Sequence, residues 1–315
     1  MPNGIPSHDT FGRVFSVIDP KQFEASFIPW VQGISQTVKG VIAIDGKTLR
    51  RSHDQSAGKK ALHLVSAWAG ENRLVLAQLA TEEKSNEITA FPLLVEHLAL
   101  SGCMVTSDAM GTQTQIAEQS IEQGGDYALA LKDNHANLGD EVKATVALAE
   151  KEGCVSPAWE SARQVEKGHG RLEIREYWTL SDPEILAYVD PGHQWKGVCG
   201  RGIVRAHLEL KITKETCYFL LSFSSVKTVS TAIRSHGGIE NSLHWVLDVA
   251  FREEEARVRL GHTDESLAVL RHTSVNVLRQ ERSSRVGIHA KRLKAGWDNQ
   301  YLLRVLDGVH EMQLP

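Results

Sequence analysis

The stretch GVIAIDGKTLRRS, residues 40–52, limits what this chain can fold into more than any other. An apolar run (Val41, Ile42, Ala43, Ile44) ends on a carboxylate, Asp45, and Gly46, Lys47, Thr48, Arg50 and Arg51 follow at once. A short apolar run bounded by polar residues reads as a buried strand, with the acid at its end. CMVTSDAM (103–110) has the same form and ends on Asp108. Between them, ALHLVSAWA (61–69) and RLVLAQLAT (73–81) read as two strands joined by the turn GEN. SNEITAFPLLVEHLAL has a helical apolar period, a cap at Ser85 or Asn86, and Pro92 inside it. TQTQIAEQSIEQGG reads as a helix stopped by Gly124 and Gly125, and DYALALKDN (126–134) as a further strand. The economical architecture is a mixed α/β sheet: antiparallel strands extended by parallel ones, with helices packed on it.

The flanks read differently. PSHDTFGRVFSVI predicts a helix capped by Ser7, with Phe11, Val14, Phe15 and Ile18 on one face. RLEIREYWTL (171–180), GIVRAHLEL (202–210) and TCYFLLSF (216–223) make residues 151–228 a β-rich insertion. Helices are expected over roughly 228–248, 263–281 and 297–309. The expected parts are an N-terminal helical segment (1–38), a first catalytic part (39–150), the insertion (151–228), and a catalytic helix with C-terminal helices (229–315).

With 315 residues, 42% of them hydrophobic and 23% charged, the chain can bury a large core. No apolar run approaches the roughly 18 residues a membrane-spanning helix needs, and the N-terminus lacks the layout of a secretory signal. The four cysteines (Cys103, Cys154, Cys199, Cys217) stand far apart, which suits reduced thiols in the cytoplasm. The net charge is −4, yet KTLRRSHDQSAGKK (47–60) and RSSRVGIHAKRLK (282–294) are strongly basic. Each is either a solvated face or a surface for a polyanion. SAGKKAL lacks the features of a phosphate loop, and HExxH, GxSxG and GxGxxG are absent from the sequence.

Two acids at neighbouring strand ends repel unless a cation lies between them. Oxygen ligands select magnesium or manganese, and two such ions can bind the attacking and leaving oxygens of a phosphodiester. A further acid would come from RSHGGIENSLHWVLDVAFREEEARVR (234–259), where Glu240, His244 and Asp248 fall at i, i+4 and i+8 on one helical face. Leu243, Val246, Leu247 and Ala250 would dock that helix on the sheet. Surface charge on an amphipathic helix is the alternative reading of Glu240 and Asp248.

AIDGKTLRRSHD, ALHLVSAWA, TEEKSNEITA, DAMGTQTQIAEQ, GGDYALALKDN, GHGR, IENSLHWVLDVAFREEEARVR and KRLKAGWDNQYLLRVL together resemble the H-repeat-associated (ISAs) group of insertion-sequence DDE transposases. The likeness runs in order over nearly the whole chain. It implies a ribonuclease-H-like mixed sheet flanked by helices, with a β-rich insertion before the last catalytic helix. It implies cleavage and transfer of DNA strands by two-metal phosphoryl transfer, using two Mg2+ (or Mn2+) ions. The implied partners are double-stranded DNA, at element ends and target, and a second copy in a homodimer on DNA. The implied location is cytoplasmic, associated with the nucleoid. By motif, Asp45, Asp108 and Glu240 match the three catalytic, metal-binding acids, with Asp248 the second candidate for the third.

Lys47, Arg50 and Arg51 are then candidate phosphate contacts beside Asp45. Lys132, Asn134, His169, Arg171, His244, Lys291, Arg292 and Lys294 are the other candidate DNA contacts, each with a solvated or packed alternative. Trp297 reads as core, and His244 as either a phosphate contact or a histidine packed beside Trp245. Two departures from the group stand out. A helical segment upstream of PNGIPSHDTF is missing, so the chain reads as N-terminally truncated, and Gly237 in SHGGIEN would loosen the start of the catalytic helix. They keep two alternatives open: a non-catalytic DNA-binding transposase remnant, and a structure-selective DNA nuclease on the same fold.

Overall fold

The computed structural model describes residues 4–35, 37–56, 58–81, 87–132, 136–151, 153, 158–168, 171–208 and 213–310. In chain order, helices α1 (His8–Val17) and α2 (Pro20–Ile34) precede strands β1 (Gly40–Leu49), β2 (Leu62–Ala69) and β3 (Leu74–Thr81). Then come α3 (Glu87–Glu96), β4 (Cys103–Ser107), α4 (Thr114–Glu122), β5 (Asp126–Leu131) and α5 (Ala136–Lys151). Strands β6 (Trp159–Gly168) and β7 (Arg171–Leu180), helix α6 (Pro183–Val189), and strands β8 (Gly200–Leu208) and β9 (Thr213–Leu221) follow. The chain ends in α7 (Val226–Ile239), a π-helical turn (Glu240–His244), α8 (Trp245–Phe251), α9 (Thr263–Gln280), α10 (Ile288–Trp297) and α11 (Asn299–His310).

These elements form two compact units. The first comprises Met1–Lys39, Asp45–Leu98 and Gly238–Pro315. In it β2 and β3 pair antiparallel from His63↔Thr81 to Ala69↔Leu74, and every residue of β2 is buried. Helix α9 packs on β3, and the Asn276 side chain both donates to the Val75 carbonyl and accepts from the Val75 amide, each at 2.9 Å. A backbone pair on a strand edge is thereby satisfied without another strand. Helix α2 starts where expected physically: Asp19 accepts from the Lys21 and Gln22 amides and Pro20 follows. In α1 Ser7 caps the helix as its spacing predicts.

The second unit comprises Gly40–Ile44 and Ala99–Gly237. Its strands run in the order β1-β4-β5-β9-β8-β7-β6. The pairs β1/β4 and β4/β5 are parallel, and β5/β9, β9/β8, β8/β7 and β7/β6 are antiparallel. Val41, Ala128, Tyr177, Val204 and Leu221 form its core with Val229 and Ala232 of α7. The fold is thus a mixed α/β sheet flanked by helices. The strands of the β-rich segment join that sheet through β9 on β5 instead of forming one of their own.

Several local expectations need correction. β1 does not stop at Asp45; it continues to Leu49. WESARQVEKG forms β6, because every one of its positions pairs along the whole length of β7 although few are apolar. Helices α5 and α10 were not read from the sequence at all. SHGG is interior to α7, so no turn precedes Glu240. Pro92 does lie within α3. The candidate contacts Asn134 and His169, the caps Ser85 and Asn86, and Cys154 fall outside the described residues.

Candidate active site

Strand alternation sends Asp45 and Lys47 to one face of β1, and Gly46 and Thr48 to the other. On the first face, Lys47 Nζ donates to Asp248 Oδ1 at 2.5 Å and to Glu253 Oε2 at 3.2 Å. The Glu253 side chain is fully buried, and Arg271 Nη1 stands 3.6 Å from its Oε1. Two cations therefore face two acids, a balance that a buried carboxylate requires. The reading of Lys47 as a phosphate contact is corrected accordingly: its ammonium is committed inside the protein. Asp248, the second candidate for the third acid, is its partner.

Asp45 lies beside this network. Its Oδ1 accepts from the Gly46 amide at 2.9 Å, and its Oδ2 is 3.5 Å from Nδ1 of His244. Burial, reinforced by the Lys47 charge and opposed by Asp248, pushes the His244 pKa down to about 4. At neutral pH the ring is uncharged, so its approach to Asp45 is a polar contact and not an ion pair.

Glu240 opens the π-helical turn, and the Trp245 amide closes it by donating to the Glu240 carbonyl. A π turn inserts an extra residue and rotates everything beyond it relative to an α-helix. His244 and Asp248 meet β1, while Glu240 is exposed. Leu243, Leu247 and Ala250 bury the apolar side of this segment as expected. Arg279 of α9 donates to the Ser242 carbonyl inside the turn, and its guanidinium lies 4.9 Å from the Trp68 ring centroid.

In the second unit the parallel register matches Ile44 with Ser107, the residue immediately before Asp108. Asp108 caps the short 3-10 helix Ala109–Gly111: Oδ1 accepts from the Met110 amide at 3.0 Å and the Gly111 amide at 3.3 Å. His236 of α7 makes a 3.0 Å hydrogen bond between Nδ1 and Thr106 Oγ1. Burial lowers its pKa, with Asp108 pulling the other way.

The basic residues divide. Arg50 and Arg51 are exposed, Arg50 with Glu254 at 3.6 Å. Lys132 is exposed just past β5, and Arg171 opens β7 opposite Gly168. Lys291 is buried; its Nζ donates to the Leu278 carbonyl at 3.0 Å and to the Glu281 carbonyl. Its reading as a DNA-tracking lysine is therefore corrected, because it closes the end of α9. Arg292 lies over Phe251 and Lys294 over Tyr301. Trp297 is 72% exposed and Trp245 60%, so neither is core.

Sequence reasoning missed four residues here: His63, Glu87, Glu253 and His236. Glu253 sat in a run of three glutamates with no sign of which would turn inward. His63 alone carried a signal, an ionisable side chain in a strand with no other one. Among the described residues, no group of three His, Cys, Asp or Glu side chains is gathered closely enough to hold a metal ion. No helix of the described residues is long and apolar enough to cross a membrane.

Comparison with known families settles the class. The transposase DDE domain model matches residues 36–277, and the DDE-associated model matches residues 1–31. The chain belongs to the transposase DDE domain family and is a DNA transposase, a family that works on DNA with divalent metal ions. Among its relatives in Escherichia coli (strain K12), "H repeat-associated putative transposase YhhI" is 38% identical over 314 residues, spanning 97% of this chain and 82% of that protein. "Putative protein YbfL" from the same strain matches with the same identity and spans. A piggyBac transposase synaptic complex with hairpin DNA aligns with 91% of this chain and 60% of that one, at 10% identity and a TM-score of 0.41.

Proposed function

We propose that this chain cleaves and transfers DNA strands at the ends of an insertion sequence, with Asp45, Asp108 and Glu240 as the acids that hold its metal ions. The observation that carries the reading is the parallel register, in which Ile44 and Ser107 pair and each is followed at once by an aspartate. Glu240, exposed on the π-helical turn, supplies the third carboxylate. These are hard oxygen donors, so the donor set fits magnesium or manganese. Two such ions, when bound, would offset charge on the attacking and leaving oxygens of the phosphodiester.

The residues' own tasks follow from their surroundings. His244 orients the Asp45 carboxylate without adding charge. Lys47 ties the strand that carries Asp45 to the helix that follows Glu240, through Asp248 and Glu253. In the first step a water oxygen bonds to phosphorus and the bond from phosphorus to the 3′ oxygen breaks, leaving a 3′-hydroxyl that takes the proton. In the second step that 3′ oxygen bonds to a target phosphorus, the target's own bond from phosphorus to its 3′ oxygen breaks, and the proton of the attacking hydroxyl ends on the released 3′ oxygen. No side-chain nucleophile is needed.

Arg50, Arg51, Lys132, Arg171, Arg292 and Lys294 are the cations proposed to hold the DNA backbone, and a homodimer would hold two ends together. Nicking of DNA carrying the element's terminal sequences, in Mg2+, tests the reading. Wild type should cut and Asp45→Asn should not, while both retain the DNA. Equal cutting by the two would refute the role of Asp45.

A further inference from the structure

The face of β1 opposite Asp45 holds a buried assembly that the cleavage chemistry does not use. Glu87, the first residue of α3, and His63 of β2 are each 2% exposed. Glu87 Oε1 lies in contact with His63 Nε2, and His63 Nδ1 shares a 2.8 Å hydrogen bond with Thr48 Oγ1. Gly46 lies directly against them. A Cβ added there would stand 2.8 Å from His63 Nε2 and 2.9 Å from Glu87 Cδ, closer than real side chains approach. Gly46 is also the residue whose amide binds the Asp45 carboxylate at 2.9 Å.

Polar groups buried this deeply are costly to place, and their contacts with one another hold them in fixed positions. Glu87 of α3 and His63 of β2 both meet the Gly46 position, and Thr48, two residues on along β1, holds the other ring nitrogen of His63. What they can do there is mechanical. They fill the space a side chain at 46 would occupy and set how far the end of β1 can move toward α3. Because Asp45 and Gly46 are consecutive, any shift of Gly46 displaces the carboxylate on the other face. A metal ligand tolerates little such displacement.

We infer that Glu87, His63 and Thr48 form a clamp on Gly46 that positions Asp45, and that Glu87 and His63 are positioning residues for strand cleavage. The inference rests on the proposed role of Asp45 and extends it to the residues that hold it in place.

The test uses the full chain with terminal-repeat DNA. Gly46→Ala should lower kcat for nicking at least a hundredfold and leave the apparent KM for DNA within twofold. It should also raise the Mn2+ concentration that half-saturates the protein–DNA complex, read by electron paramagnetic resonance. Adding Glu87→Ala to Gly46→Ala should restore at least tenfold of the lost kcat, because it removes the carboxylate that the new methyl group meets. Glu87→Gln alone keeps the shape and loses the charge, and should raise the Mn2+ requirement several-fold. Thermal melting identifies any variant that fails to fold, and amide exchange at residues 44–48 then reports on the clamp in those that do. Wild-type kcat and Mn2+ binding in folded Gly46→Ala, or no recovery in the double variant, would overturn the clamp. An active Asp45→Asn control would instead overturn the role of Asp45, so the two failures are distinguishable.

Discussion

Asp45 and Asp108 look alike in sequence, each closing an apolar run, yet the protein holds them by opposite means. Asp108 ends its strand and is fixed by its own neighbourhood, accepting from the amides two and three residues ahead. Asp45 sits inside a strand that continues for four more residues. Its surroundings come from far along the chain: His244, the Lys47 network with Asp248 and Glu253, and the Gly46 seat against His63 and Glu87. One acid is placed locally, the other by tertiary packing. Substitutions near Asp108 should thus have local consequences, and substitutions around Asp45 should propagate.

The largest expected effect separates chemistry from placement. Asp108→Asn keeps an N-cap of nearly equal quality, so it should melt like wild type yet nick terminal-repeat DNA at least a thousandfold more slowly. Wild-type nicking would remove Asp108 from the chemistry. Next comes Lys47→Met, which takes one of two cations from the buried Glu253 and removes the ammonium from the half-buried Asp248. A loss of about 3 kcal/mol in urea unfolding is expected from breaking such a pair on one side. A loss below about 1 kcal/mol would show that Asp45's surroundings are no more interdependent than those of Asp108.

Glu24 on α2 gives a control of similar size. Burial raises its pKa to about 7 from an ordinary 4.5, while the Ala80 amide donates to it. The folded state keeps the proton that the unfolded state releases, so this contribution is fully present below pH 4.5 and lost as pH rises through 7. Glu24→Gln should flatten the stability profile over that window, by up to about 3 kcal/mol at pH 8. An unchanged slope would contradict the assignment. Asp108→Ala compared with Asp108→Asn isolates the cap alone, at about 1 kcal/mol in melting experiments. Smallest is Arg51→Gln, which should reduce the salt dependence of DNA binding by about one unit of slope while leaving nicking at saturating DNA unchanged.

The same contrast explains what the sequence could tell. Strand-forming runs, the cap at Ser7 and the order of elements along the chain depend on neighbours a few residues away and are visible in the pattern. Asp108 belongs to that class. The continuation of β1 through GKTL was not legible, because what keeps Lys47 and Thr48 in the strand are partners roughly 15 and 200 positions on. The π turn was equally hidden, since helical periodicity assumes 3.6 residues per turn and the extra residue is stabilised from α9 by Arg279. Charge counting failed at Lys47 and Lys291 for a related reason. A basic run does not say which of its members has a buried acid or carbonyl waiting.

The most direct measurement on the central claim is nicking by Asp45→Cys in Mg2+ and in Mn2+, with DNA carrying the terminal repeats. A thiolate is a poor ligand for magnesium and a better one for manganese. If the side chain at position 45 meets a metal ion, the variant should be silent in Mg2+ and recover nicking in Mn2+. Equal nicking in both ions at the wild-type rate, or silence in both from a folded variant that still retains DNA, would contradict it.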